Sequence, residues 1–276
     1  MLLDQTRYEA FWANPERYRL AYELNIVPRE TPYGLSRGTA LHLINEWHHA
    51  QLSDAEIDSR LKADPAISEK ARLNAWQLWR ELERAYPILS ATSSSQPVKI
   101  AAEVEFTHQI PGSPHGLCGR IDEIIQLPDG RHVVGELKSA NARRRYDDVR
   151  REWETKKQAD FVLLGARSLG YSPIGVMVRV AVEGTPPKVW AFDVTRTERQ
   201  LSLAMLHVHQ TCEIIEFMRR TFGVNDPWPH LTHSWPCAKS GACEHEPICC
   251  HTRAELTPDM LDGYAERQEH LELLRR

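Results

Sequence analysis

The sequence contains no run of about 18 apolar residues, so nothing in it is built to cross a bilayer as a helix. It has no Gly-x-x-x-x-Gly-Lys-Ser/Thr phosphate loop, so any motor would have to be another chain, and no internal repeat is evident. The opening Met1-Leu2-Leu3-Asp4-Gln5 lacks the charged-then-apolar pattern of a secretory leader, which makes the cytoplasm the expected compartment. Positive charge is not in excess: the formal net charge is -4, which gives no overall signature of nucleic-acid binding. An enzyme that holds phosphates through metal ions needs only a local basic track. Cysteine is sparse until the C-terminal stretch, where Cys237, Cys243, Cys249 and Cys250 supply four of the six. Cys118 and Cys212 fit plain small core residues.

The most informative segment runs from Gly119 to Ser139. Two apolar-rich runs flank Pro128-Asp129-Gly130, in which Pro fixes φ, Asp caps locally and Gly accepts a positive φ. A hairpin closed there pairs Leu127 with Arg131, and the same register sets Asp122 opposite Glu136. Lys138 lies two residues on from Glu136 and therefore on the same face. Two carboxylates and an ammonium thus converge on one patch of sheet. Such a trio also occurs as ordinary solvated surface, but Ile121, Ile124, Ile125, Val133, Val134 and Leu137 make both strands apolar enough to be interior. Charges inside an interior hairpin need a reason, and a divalent metal with a phosphate is a chemically suitable one.

Gly-x-x-Asp, a short hairpin and Glu-x-Lys resemble the core of the PD-(D/E)XK nuclease superfamily, and more narrowly the branch of RecB-type nuclease domains, CRISPR-adaptation exonucleases and phage exonucleases. Two further elements carry the resemblance: Gly38-Thr39-Ala40-Leu41-His42 matches an upstream Gly-x-x-x-His helix, and Gln158 matches a glutamine that opens a helix. Val162 stands where that second element often has tyrosine. The resemblance implies a restriction-endonuclease-like α/β core, a mixed central sheet flanked by helices. It implies that His42, Asp122, Glu136 and the backbone carbonyl of Leu137 bind Mg²⁺ or Mn²⁺, with Asp122, Glu136, Lys138 and Gln158 as the catalytic set. Lys138 would orient the attacking water or stabilise transition-state charge; a role as base would need its pKa to fall. On residue pattern alone, His42 lies off the apolar arc of Ala40, Leu41, Leu43, Ile44 and Trp47, where a surface histidine is the ordinary outcome. Glu105, on the strand before the hairpin, is an extra candidate carboxylate, with surface exposure as the equal alternative.

Arg143, Arg144, Arg145, Arg150, Arg151, Lys156 and Lys157 follow directly after Glu-x-Lys, mixed with Asp147, Asp148, Glu152 and Glu154. The run is either a solvated helix face or a contact for phosphate backbone, and its departure from the active-site strand favours the latter. The cysteine group lies in a Pro- and Gly-punctuated stretch, where metal binding is the leading explanation in a reducing compartment. The resemblance implies a 4Fe–4S cluster held by Cys237, Cys243 and Cys249. The matching N-terminal position, however, is Asn14, a good helix cap and a poor iron ligand. Zn²⁺ completed by His245 or His251, or no metal at all, remain alternatives.

The organisation expected is a helical part over residues 1–90, a nuclease core over 91–223, and a Cys-rich clasp with a C-terminal helix over 224–276. Within it, Asn14-Pro15-Glu16 opens a helix running through Glu23, Ser36 caps a helix from Arg37 to about Gln51, and Ala75, Leu78, Trp79, Leu82 and Tyr86 mark a third. Residues 91–97 form a linker. Val98, Ile100, Ala102, Val104 and Phe106 alternate as a half-buried strand with Glu103 and Glu105 on its other face. One helix spans Arg151 to Leu169, a second hairpin joins 176–182 to 189–194, and a long helix over 196–222 stops at Gly223. The expected activity is metal-dependent DNA hydrolysis, most like an exonuclease of recombination, repair or phage DNA metabolism. DNA is the expected partner, recombination or helicase proteins are possible further ones, and no membrane is involved. The alternatives are a non-catalytic DNA-binding or scaffold subunit and a structural metal protein.

Overall fold

A computed structural model describes residues 1–29, 32–88, 96–229, 261 and 264–266. The chain begins with strand β1 (Leu2–Leu3), helices α1 (Gln5–Ala13) and α2 (Pro15–Tyr18), a π turn at Arg19–Glu23, and strand β2 (Ile26–Pro28). Helices α3 (Tyr33–His49), α4 (Asp54–Ala63) and α5 (Glu69–Ala85) follow, then strands β3 (Val98–Gln109), β4 (Gly116–Gln126) and β5 (His132–Ala140). Helices α6 (Tyr146–Thr155) and α7 (Lys157–Ser168) lead to β6 (Pro173–Val182), β7 (Lys188–Val194), α8 (Glu198–Phe222) and β8 (Tyr264–Glu266). These elements form two compact units, one of Met1–Glu30, Gln109–Cys118 and Leu203–Arg276, the other of Thr31–His108 and Gly119–Ser202.

The second unit holds the sheet order β3–β4–β5–β6–β7. The β4/β5 and β6/β7 pairs are antiparallel hairpins, while β5 and β6 run parallel and are joined through α6 and α7. A parallel pair cannot be closed by a tight turn, so the crossover must carry helices. β5 is thereby an interior strand, and its residues 133–137 are all buried. The β4–β5 turn closes as its residues dictate: Leu127 N–H donates to Arg131 O at 2.8 Å, Gly130 N–H donates to Leu127 O at 2.9 Å, and Gly130 has φ +84°. Leu137 and Ala181 bury against Ala40, Leu41 and Ile44 of α3 and Ala75, Leu78, Trp79 and Leu82 of α5. That packing follows from the apolar spacing of α5, whose N-cap Ser68 accepts the Ala71 N–H. The result is a mixed sheet with helices, the restriction-endonuclease-like core, and a helical N-terminal part.

In the first unit, Asn14 Oδ1 accepts the Glu16 N–H at 2.9 Å, so the asparagine is the cap its sequence context implies. α2 lasts one turn before the chain widens into the π turn. Tyr18 stacks on Trp228 at 6.0 Å between ring centroids, and Arg19 forms a buried pair with Glu16. β1 pairs in parallel with the start of β4, and β8 pairs antiparallel with β2.

Several boundaries differ from the sequence expectations. α3 begins a turn earlier than Ser36, with Pro32 as its cap residue, because the fixed φ of proline starts a helix without needing its missing N–H. Ser36 sits inside α3 instead, donating to Ala66 O and accepting from Ser68 N. The single helix expected over Arg151–Leu169 is two, α6 and α7, because Lys156 takes an extended conformation at φ -69°, ψ 128°. The even-numbered alternation expected along 98–106 fails in its first half: Ile100 is exposed and Lys99 is buried. Glu103 has φ +50°, which breaks the pleat, and only beyond it does the even-numbered Phe106 turn inward. Residues 91–95 of the expected linker, the cysteines Cys237, Cys243, Cys249 and Cys250, and most of the expected C-terminal helix lie outside the described residues.

Candidate metal-ion site

Within the second unit, the hairpin register Glu123↔Gly135 and Ile124↔Val134, carried one step further, sets Asp122 opposite Glu136. Asp122 is pinned by the Leu137 N–H, which donates to its Oδ2 at 2.8 Å. Glu136 Oε1 accepts from Lys138 Nζ at 2.8 Å and from Gln158 Nε2, in the first turn of α7, at 2.5 Å. Glu136 Oε2 is buried and has no hydrogen-bond partner among the described residues. From α3, His42 places Nδ1 3.3 Å from Glu103 Oε1 and 3.5 Å from Asp122 Oδ1. One donor atom from each of His42, Glu103 and Asp122 lies within 4.8 Å of the others. Trp153 of α6 presents its ring 6.0 Å from Lys138 Nζ and 4.9 Å from Lys156 Nζ, flanking the ammonium with an aromatic face.

His42, Asp122, Glu136, Lys138, Gln158 and the Leu137 backbone are thus brought together. Among the described residues, the donor cluster is formed by His42, Glu103 and Asp122 and does not include Glu105. Glu103 takes the place foreseen for an extra carboxylate, because its positive φ swings the side chain toward His42 while Arg120 Nε holds its other oxygen at 2.9 Å. A non-glycine residue in that conformation is strained, and such strain collects at sites where geometry matters. Nothing in the sequence pattern marks that break, since Glu103 and Glu105 share one face of an unbroken strand. Val162, at the position where the resembled motif often has tyrosine, is buried.

The electrostatics of the group describe an acidic site short of positive charge. Burial, reinforced by the Asp122 carboxylate, pushes Glu136 up to about 8 despite the neighbouring Lys138. Burial likewise raises Glu103, against the pull of His42 and Arg120. For Asp122 burial works against the charge, but His42, Lys138 and the Leu137 N–H outweigh it and hold the carboxyl below its usual range. Burial also opposes charge on His42, yet Asp122 and Glu103 raise it above an ordinary imidazole. Three carboxylates and an imidazole, one carboxylate oxygen buried without a hydrogen-bond partner among the described residues, make an oxygen-rich donor set that suits a hard divalent cation.

Of the basic run, Arg144 pairs with Glu152, Arg150 with Glu154, Lys156 with Glu152 and Lys157 with Asp160. Arg143, Arg145 and Arg151 are exposed, and no ion pair is formed by them among the described residues.

A candidate metal-binding cluster on a mixed α/β core is what these features define. A profile of the PD-(D/E)XK nuclease superfamily matches residues 3–250, and the chain belongs to that superfamily. Among solved structures, a candidate exonuclease from Eubacterium rectale superposes with a TM-score of 0.57 at 16% identity, covering 93% of this chain and 90% of that one. The protein SSO0001 matches over 88% of this chain and 95% of its own at 14% identity, with a TM-score of 0.35. Comparison with curated protein sequences gives no significant match.

Proposed function

We propose that the second unit hydrolyses DNA phosphodiester bonds with Mg²⁺ or Mn²⁺, as an exonuclease serving recombination, repair or phage DNA metabolism. The observation that carries this reading is the convergence of Asp122, Glu136, Glu103, His42, Lys138 and Gln158 at one point of the sheet. His42, Glu103, Asp122, Glu136 and the Leu137 carbonyl are the groups that would hold the ion. A divalent ion held there would supply charge to polarise the scissile phosphate, acidify an attacking water and neutralise the leaving oxygen. Lys138 keeps a positive charge beside Glu136, where it offsets charge on the phosphate or orients the water. Gln158 fixes Glu136 through its 2.5 Å bond and so sets where that carboxylate points. Arg143, Arg145 and Arg151 are free to take phosphates flanking the scissile bond. The exonuclease element draws on the motif resemblance and on the description carried by the Eubacterium rectale structure. Cys237, Cys243 and Cys249 are assigned to an iron–sulfur or zinc site because they resemble the cysteine pattern of the RecB-type branch, with no metal as the alternative.

The test is a cleavage assay on end-labelled single- and double-stranded DNA with each ion. Asp122→Asn, Glu136→Gln and Lys138→Ala should each abolish cleavage while melting like the wild type in the absence of metal. Wild-type protein that cuts neither substrate with either ion would sink the enzymatic reading, and retained DNA binding in that case would point to a scaffold subunit.

A further inference from the structure

The first unit contains a second group of ligand-type side chains that the nuclease reading does not use. His209 and Glu213 stand one turn apart on α8, and His115 lies in the segment just before β4. One donor atom from each of the three falls within 4.8 Å of the others. His115 Nε2 is 2.7 Å from Glu213 Oε1, and the two imidazole rings sit 5.6 Å apart at an interplanar angle of 36°. His115 is almost wholly buried, whereas Glu213 is about half exposed, so the group opens to solvent on one side.

We infer that His115, His209 and Glu213 form a binding site for a borderline transition-metal ion, Zn²⁺ by donor type, separate in function from the Mg²⁺/Mn²⁺ site. Two imidazoles and one carboxylate are the ligand set of three-residue zinc sites, with a fourth position left to water, and nitrogen donors favour Zn²⁺ over Mg²⁺. The i, i+4 spacing on α8 matters because it puts two ligands on one helical face without bending the helix. The outer nitrogen of His209 is also provided for, and that of His115 has a carboxylate nearby. His209 Nδ1 is 2.9 Å from Ser113 Oγ, which can accept its proton. His115 Nδ1 accepts from the Met1 ammonium at 3.1 Å, so binding of an ion at Nε2 requires the ring proton to move to Nδ1 and be taken by Glu216 Oε1, 3.7 Å away. An acceptor on Nδ1 leaves the Nε2 lone pair for the ion, the carboxylate–histidine–metal arrangement that recurs around bound zinc. Glu216 is two turns on from His209, on the same face, so α8 supplies two ligands and one outer partner in a single stripe. Without metal, the 2.7 Å His115–Glu213 contact is an ordinary hydrogen-bonded pair, which is what the test must separate from a site.

The experiment is a Zn²⁺ titration by calorimetry on the full chain in excess Mg²⁺, with bound metal counted by elemental analysis after gel filtration. Wild type should hold one more Zn²⁺ per chain than His209→Ala or Glu213→Gln, whatever the cysteine stretch binds, because only this site is altered. Each of those variants should weaken the site by more than ~100-fold, and Glu216→Gln by the ~10–100-fold usual for an outer partner. Asp122→Asn should leave the zinc count unchanged, so failure here and failure of the nuclease reading are distinguishable. Glu213 is exposed and His209 is half-buried, and the metal-free melt of Glu213→Gln should match wild type. If His209→Ala destabilises the fold, the Glu213→Gln count decides. Equal zinc counts in wild type, His209→Ala and Glu213→Gln would overturn the proposal and leave a plain His–Glu pair.

Discussion

Glu123→Gln should destabilise the protein by about 3–5 kcal/mol, the cost typical of removing one partner from a buried ion pair. Glu123 is fully buried between two cations that are themselves buried, with Lys99 Nζ 2.9 Å from one carboxylate oxygen and the Arg179 guanidinium on the other. Lys99 has a further acceptor in Asn45 Oδ1 at 2.6 Å and lies 5.7 Å over the Trp79 ring. At an effective dielectric of ~20, one unit pair at that 2.9 Å separation is worth roughly 6 kcal/mol before desolvation, and desolvation removes several kcal/mol per ion. Glutamine keeps the shape but removes the charge, leaving two buried cations facing each other. The melting temperature, measured in EDTA so that bound metal adds nothing, should fall by roughly 6–20 °C for a chain of this size. An independent change probes the same geometry: a Cβ on Gly135 would sit 2.6 Å from Glu123 Oε2 and 2.7 Å from Ile125 Cδ1, so Gly135→Ala should cost about 1–3 kcal/mol. The triple change Lys99→Met, Glu123→Leu and Arg179→Met should recover most of the loss, since no charge is then stranded. A Glu123→Gln protein melting within about 2 °C of wild type would refute the reasoning, because a pair worth that little is solvated rather than buried.

Glu103→Gln should weaken Mn²⁺ binding and slow cleavage, whereas Glu105→Gln should change neither. Equal effects of the two, in a metal titration followed by the cleavage assay, would mean that the strand keeps its simple alternation and that Glu103 is not turned into the site. Charge reversal at Arg143, Arg145 and Arg151 should lower the slope of log binding constant against log salt by about 0.7–0.9 for each phosphate that is no longer neutralised, and should spare turnover of a short saturating substrate. An unchanged slope would return these arginines to the solvated face.

How far the site was legible can be judged residue by residue. Asp122, Glu136 and Lys138 follow from a turn with a stereochemical mechanism: Pro128-Asp129-Gly130 fixes where the hairpin closes, and period-two alternation does the rest. Register is a local property there, so local sequence carried it. His42 and Gln158 reach the site through tertiary packing of α3 and α7, and only the motif resemblance pointed to them. Glu103 was missed for a different reason. Alternation assumes an unbroken pleat, and one residue at φ +50° shifts the phase of everything before it, which no pattern of apolar residues announces.

That phase shift joins the two charged clusters of the second unit. With the pleat broken at Glu103, the odd-numbered Lys99 turns inward to meet Glu123 and the even-numbered Phe106 turns inward beyond the break. Glu123 and Asp122 are consecutive on β4 and therefore point to opposite faces of the sheet. One serves the buried pairs with Lys99 and Arg179, and the other faces His42 and lies opposite Glu136. A strand that carries charge on both faces can be interior only if each face supplies its own compensation. On one face the compensation is a lysine and an arginine already present. On the other, Lys138 holds Glu136 Oε1, Glu136 Oε2 has no hydrogen-bond partner among the described residues, and burial with the Asp122 carboxylate pushes Glu136 up to about 8, the arrangement that the proposed ion would offset. On the proposed reading, the same strand is compensated by Lys99 and Arg179 on its structural face and by a bound ion on the face of Asp122 and Glu136.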